Sequence, residues 1–207
     1  MTINDAQLTE DDDHILVAIL DETYGHGDSD EEWDLAREAF RKALEAEFGL
    51  SFEDADIGPG ASFPAFAAMI GPVVTVATAG IAIVIAGKPI REGLNAWLAM
   101  AVDLRKFFTR KVYLNRNGAA VLAIGAVAKE AGQLPTSVQL LGYQPQHVLE
   151  PHDLASQDRL TEIAAAPGTI YLGALRHVFE IDADGAVFRV SVEGKTVRTY
   201  RLPSQSK

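Results

Sequence analysis

The sequence predicts an α+β fold. An N-terminal strand–helix unit leads to a central apolar helix, a candidate transmembrane span, with an amphipathic basic helix behind it. A C-terminal mixed α/β domain then ends in an antiparallel β-meander. Three observations carry this. Ile57 to Gly87 contains no Asp, Glu, Lys, Arg or His. The last thirty residues alternate apolar and polar positions around short glycine turns. Charge is divided along the chain: residues 1–57 hold 18 acidic groups against Arg37, Arg41 and Lys42, whereas residues 58–207 hold 11 acidic and 15 basic groups.

In order, residues 1–13 form a polar, acidic lead-in, and His14 to Leu20 (H-I-L-V-A-I-L) is an apolar run of strand length. A loop rich in Asp and Gly separates it from a helix over Asp30 to Phe48. Asp30 is a plausible N-cap, Glu31, Glu32 and Asp34 suit the positive end of the helix dipole, and Gly49 stops the helix. Trp33, Leu35, Ala36, Phe40, Ala43, Leu44 and Phe48 give it an apolar stripe. A loop is expected over residues 49–62. After the apolar segment, Leu94 to about Phe108 reads as a helix with Leu94, Trp97, Leu98, Ala101, Leu104 and Phe108 on one face. Further expectations are a strand over Val112 to Leu114, a helix from Ala119 to Ala131, a strand over Val138 to Tyr143 and a helix over residues 152–165. Ile170 to Leu175, His177 to Ile181, Ala186 to Val192 and Val197 to Leu202 are strands, with turns at Asp184-Gly185 and Glu193-Gly194-Lys195. These elements group as an acidic strand–helix unit (1–57), an apolar helix plus amphipathic basic helix (58–111) and a mixed domain (112–207).

The apolar segment is the pivot. About 20 residues rising 1.5 Å each cross a hydrocarbon core of about 30 Å, so Ile70 to Gly87 is long enough to span. Ile70, Val74, Ile81, Val84 and Ile85 are the candidate insertion residues. Trp97, Arg105, Lys106, Arg110 and Lys111 suit an interfacial anchor, and the basic cluster after the segment would put the C-terminal part in the cytoplasm. No signal peptide is expected, because the N-terminus is acidic. The rival reading is a protein of the soluble cytoplasm in which the segment is a buried core helix or an oligomer interface. A third is a sheltered segment that inserts only on triggering. Pro72 and Gly80 interrupt the run, which spans tolerate better than other helices do.

Chemistry is sparse. With no cysteine, disulfides, Cys-ligated zinc and thiol catalysis are excluded. Gly87-Lys88 is followed by Pro89 and lacks the spacing of a phosphate loop. Gly58-Pro59-Gly60 lacks the glycine spacing of a dinucleotide site. His147, Glu150, His152 and Asp153 could donate to a metal, but Pro151 lies among them and a polar loop is the simpler account; the same holds for His26-Gly27-Asp28. Asp182-Ala183-Asp184-Gly185 begins like a calcium loop, yet Val187 replaces the next oxygen ligand and a hairpin fits better. No serine lies in G-x-S-x-G. No catalytic residue, cofactor or metal ligand is therefore assigned. The acidic N-terminal section repels phosphates, and the terminal strands are only modestly basic through Arg176, Arg189, Arg198 and Arg201, so a nucleic-acid partner is not expected.

The residues H-I-L-V-A-I-L, the apolar run and N-A-W-L…R-K…K-V-Y-L give the first 115 or so residues an organisation that resembles small effector-associated accessory components of bacterial conflict systems. That resemblance implies a non-catalytic membrane or adaptor partner of a separate effector. The expectation is a non-enzymatic, membrane-associated accessory or effector component that anchors to or perturbs a bilayer under control of a partner protein. The alternative is a soluble interaction or adaptor protein. Membrane lipid, an unidentified protein and further copies of the chain are the expected partners.

Overall fold

A computed structural model of the chain describes residues 14–21, 29–55, 65–72, 88–150, 153–165 and 175–203. Strand β1 (His14–Leu20) precedes helix α1 (Asp30–Phe48) and strands β2 (Glu53–Ala55) and β3 (Ala65–Pro72). Helix α2 (Lys88–Arg105) runs through a 3₁₀ turn into β4 (Val112–Leu114) and helix α3 (Arg116–Glu130). Four strands follow: β5 (Val138–His147), β6 (Leu175–Ala183), β7 (Ala186–Glu193) and β8 (Thr196–Arg201). They form two antiparallel sheets, ordered β2-β3-β1-β4 and β5-β6-β7-β8.

The central apolar helix expected from the sequence is corrected here. Residues 65–72, its first part, form strand β3, paired antiparallel with β1 from Leu20↔Ala65 to His14↔Pro72. Among the described residues no helix is long and apolar enough to cross a membrane. The physical reason lies in the first sheet. Ile15, Val17, Ile19, Phe66 and Ala68 face the main core, and Leu16, Ala18, Ala65 and Ala67 on the opposite face are buried too. A strand covered on both faces has no polar side to show, so its sequence loses the period-2 alternation and runs on as a continuous apolar stretch. Residues 73–87, with Val74, Ile81, Val84 and Ile85, lie outside the described residues.

Helix α1 covers the residues expected, Asp30–Phe48, but its cap is Ser29 and not Asp30. Ser29 is the N-cap, its Oγ accepting the Glu32 N–H at 3.3 Å, and Asp30 becomes the first helical residue. Gly49, at φ 67°, closes the other end by donating its N–H to the Glu45 carbonyl. The helix meets the first sheet through Phe40 on Phe66 and the 3₁₀ turn through Phe48 on Phe107, and it buries only Leu44 completely.

Helix α3 is the hub. From Arg116 to Gly125 every residue is buried, because the helix lies against β1 and β4 of the first sheet, β6 to β8 of the second, and α2. Its sequence, N-G-A-A-V-L-A-I-G, is apolar all round for that reason. One core joins Leu94, Trp97 and Leu104 of α2 to Val121 and Leu122 of α3 and to Phe179, Phe188 and Val190 of the second sheet. Side chains of this size contribute roughly 1.5–3 kcal/mol each when buried. Asn115 caps α3 by accepting the Gly118 N–H, and the same Oδ1 takes the Leu16 N–H at 3.1 Å, locking helix to sheet.

Candidate functional site: a buried charge clamp and the edges of the second sheet

The turn between β6 and β7 is made by Asp184 and Gly185, both at positive φ (53° and 82°), the conformation a two-residue hairpin turn demands. That turn sets the register, and on the fourth pair back Glu180 faces Arg189. Both are almost completely buried. Arg189 Nε and Nη2 donate to Glu180 Oε1, Nη1 donates to the carbonyls of Leu154 (3.0 Å) and Gln157 (2.8 Å), and Nη2 also reaches the carbonyl of Asp158 (2.7 Å). All five guanidinium N–H directions thus find an acceptor, the condition under which a buried charge is tolerable. Glu180 Oε1 also accepts the Leu160 N–H at 3.1 Å, and Arg159 stands 3.5 Å from Oε2.

The carbonyls held by Arg189 belong to residues 153–165, where a helix was expected. The segment is instead a strap of turns laid along the outer edge of β5. Tyr143 donates to the Glu162 carbonyl (3.0 Å), and Ala164 donates back to the Tyr143 carbonyl (2.9 Å). The approach is close enough to require glycine at 142: a Cβ there would stand 2.4 Å from Leu160 Cβ.

A second buried constellation closes the edge of β4. Asn115 continues the ladder with Leu16, so the carbonyls of Val112 and Leu114 point away from β1. His177 Nε2 donates to the Leu114 carbonyl at 3.0 Å, and Tyr143 Oη donates to His177 Nδ1 at 2.9 Å. Burial, abetted by the nearby Arg116 charge, pushes the His177 pKa down to about 4; the hydrogen bond to Leu114 opposes this. Burial likewise holds the Tyr143 phenol far above its ordinary range. The neutral imidazole has both nitrogens engaged, which leaves neither for proton transfer nor for a metal. At Val112 the β7–β8 turn packs in. Gly194 sits there at φ 53°, and a Cβ on it would lie 2.7 Å from the Val112 carbonyl oxygen.

The edge formed by β8 is different. Leu202 donates to the Val187 carbonyl at 2.8 Å, which with the β7–β8 register assigns the paired ladder bonds to residues 196, 198, 200 and 202. The N–H and C=O groups of Val197, Thr199 and Arg201 therefore point outward, and among the described residues nothing bonds to them. Lys195, Arg198 and Arg201 are exposed along this edge, and no Asp or Glu follows Glu193.

The residues singled out from the sequence are dispersed. Ile70 lies in β3, half-buried against the core. Trp97 is 6% exposed and belongs to the core under α3. Arg105 is exposed at the end of α2, and Lys106 pairs with Asp103. Arg110 donates from Nε and Nη2 to Glu47 Oε2 at 3.1 and 2.7 Å and lies over the Phe40 ring. Arg110 and Lys111 do converge with Lys195, on a cleft of about 720 Å³ between the sheets floored by Leu20, Val112 and Leu175. Asp182 and Asp184 are spent on turns: Asp182 accepts the Gly185 N–H, and Asp184 takes the N–H and hydroxyl groups of Thr136 and Ser137, which lowers its pKa. His147 Nδ1 accepts the Leu149 N–H, while His26 and His152 lie outside the described residues. No metal-ligating group of three is present among the described residues.

Composition alone had counted Arg176 and Arg189 as surface charge. The signal that could have placed them was the Asp184-Gly185 turn: counting outward from it pairs Glu180 with Arg189 and Arg176 with Glu193, which are the two ion pairs observed. Comparison of the chain with protein-family models, curated proteins and solved structures finds no match.

Proposed function

We propose that the chain is a non-enzymatic interaction protein, an adaptor whose exposed charges recognise a separate protein. The observation that carries this is helix α1. Asp30, Glu31, Glu32 and Asp34 are exposed in its first turns, Leu35 beside them is 67% exposed, and the helix commits little of its surface to the core. A long acidic helix with an apolar residue at large suits a partner with a basic, grooved surface. The buried ionised groups support the same reading, since Arg189, Glu180 and Arg176 all serve to hold backbone segments in place.

The test is photocrosslinking in the native host. A benzophenone amino acid would replace Leu35, with Val102, exposed at 58% on α2, as the control site. A discrete adduct at position 35, lost when Glu31 and Asp34 are changed to Lys, is the expected result. Retention of the untagged protein in alkaline-washed membranes, or identical adduct patterns at both positions, would overturn the proposal.

A further inference from the structure

We infer that the β8 edge is a docking site for an acidic, extended polypeptide segment that adds a fifth strand to the second sheet. The inference rests on the interaction-protein reading and names a partner chemistry for a surface that α1 does not include. Three features of the edge carry it. First, β8 presents a complete outward row of backbone donors and acceptors, those of Val197, Thr199 and Arg201, with no proline until Pro203. An edge of that kind is a template for strand addition. Second, the other described approaches to strand edges in this region are closed: β5 by the strap and β4 by His177 and the Gly194 turn. Third, the charge along the edge has one sign. Lys195, Arg198 and Arg201 are exposed, Glu193 is held by Arg176 at 3.0 Å, and Glu180 is buried against Arg189.

Charge complementarity decides the occupant. A second copy adding its own β8 antiparallel would bring two sets of these cations together, and like charges across a strand pair are destabilising. An acidic strand reverses that sign. At the C-terminal end of the edge, Arg201 lines a cleft of about 740 Å³ with Arg159 and the buried Glu180 that Arg159 approaches at 3.5 Å, over a floor of Leu141, Leu160 and Val187. Arg159 is engaged by Glu180 and the Pro203 carbonyl, so Arg201 is the cation an incoming carboxylate would meet there, and an apolar neighbour has a floor to rest on.

Thr199 provides the test, because its N–H points outward and takes no part in the β7 ladder. A proline at such a position is compatible with an edge strand and removes the central donor for an incoming one. The probe is a fluorescein-labelled octapeptide alternating glutamate and valine, compared with its lysine–valine counterpart and with a labelled oligothymidylate, all against the full chain. We expect the glutamate peptide to bind at least ten times more tightly than the lysine peptide. Thr199→Pro should weaken it at least tenfold, and the Val197, Thr199 and Arg201 amides should gain protection from hydrogen exchange on binding. Arg198→Glu, a change at an exposed side chain, is the second variant and should weaken binding even if the proline variant folds poorly. Equal binding of both peptides, tighter binding of the oligonucleotide, or a dimer abolished by Thr199→Pro would each overturn the inference. Failure of the peptide with the position-35 adduct intact would overturn the edge assignment alone.

Discussion

At the β5 edge of the second sheet the outward groups of Tyr143 meet the Glu162 carbonyl and the Ala164 N–H; at the β8 edge, on the far side of the same sheet, Val197, Thr199 and Arg201 meet nothing among the described residues. The two edge strands run antiparallel and belong to one hydrogen-bonded unit. What separates them is investment of buried charge. Closing β5 takes a guanidinium that is 0% exposed, its carboxylate and a glycine with no room for a Cβ. The open edge carries Lys195, Arg198 and Arg201, the kind of residues that keep free edges from pairing with one another. One edge is finished by construction and the other by electrostatic repulsion. Only the second kind leaves a surface that a strand of opposite charge can use.

Removing the clamp should break this contrast most severely. Arg189→Met would leave the buried Glu180 with the Leu160 N–H and, as its cation, the more distant Arg159, and we expect a loss of about 3–5 kcal/mol in urea unfolding. Hydrogen exchange should show the Ala164 amide unprotected as the strap lifts, leaving the β5 edge of the second sheet without its partner.

Acid should act next, through the β4 closure. His177 is held neutral down to about pH 4 in the folded protein, whereas the unfolded chain takes up its proton near pH 6.5. The unfolded state therefore binds more protons between those values, and stability is present above pH 6.5 and falls as the pH drops towards 4. The loss amounts to roughly 3 kcal/mol at pH 4. Chemical unfolding at pH 7, 5.5 and 4.5 checks this, and His177→Gln should flatten the slope over that range. Asp184, whose pKa is lowered by its bonds to Thr136 and Ser137, pulls in the same direction further into acid.

Gly194→Ala sharpens the comparison by touching one closure and sparing the clamp. The residue would have to keep φ at 53° and push its Cβ away from the Val112 carbonyl, a cost of about 1–3 kcal/mol read as a lowered Tm. Thr199→Pro should have the smallest effect on stability, within about 0.5 kcal/mol, because no ladder bond is lost. A large loss of Tm for that variant would show that β8 is not a free edge.

Much of the second sheet was legible in the amino-acid sequence. Asp-Gly and Glu-Gly-Lys turns between alternating runs can do little but form hairpins, and their register follows from counting. Helix α1 was legible for a similar reason, since an acidic first turn and a glycine stop are local signals. Strand β3 was not. Buried on both faces, it shares its composition with a membrane span, and only its pairing with β1 and β2 tells them apart. Nor was the strap: residues 153–165 carry no local mark of a partner about 30 residues on, and Arg189 looks like any exposed arginine in a strand until the hairpin is folded.

The sequence by itself determined the absence of thiol chemistry, the acidic N-terminal third, the meander and its turns, because each depends on composition or on neighbours a few residues apart. Tertiary structure alone decided that β3 is a core strand, that Trp97 is buried, that Glu180 and Arg189 meet in the interior and that β8 has no further strand beside it among the described residues. Those outcomes rest on contacts between segments distant in the chain, where burial and pairing outweigh the local preferences that a sequence can express.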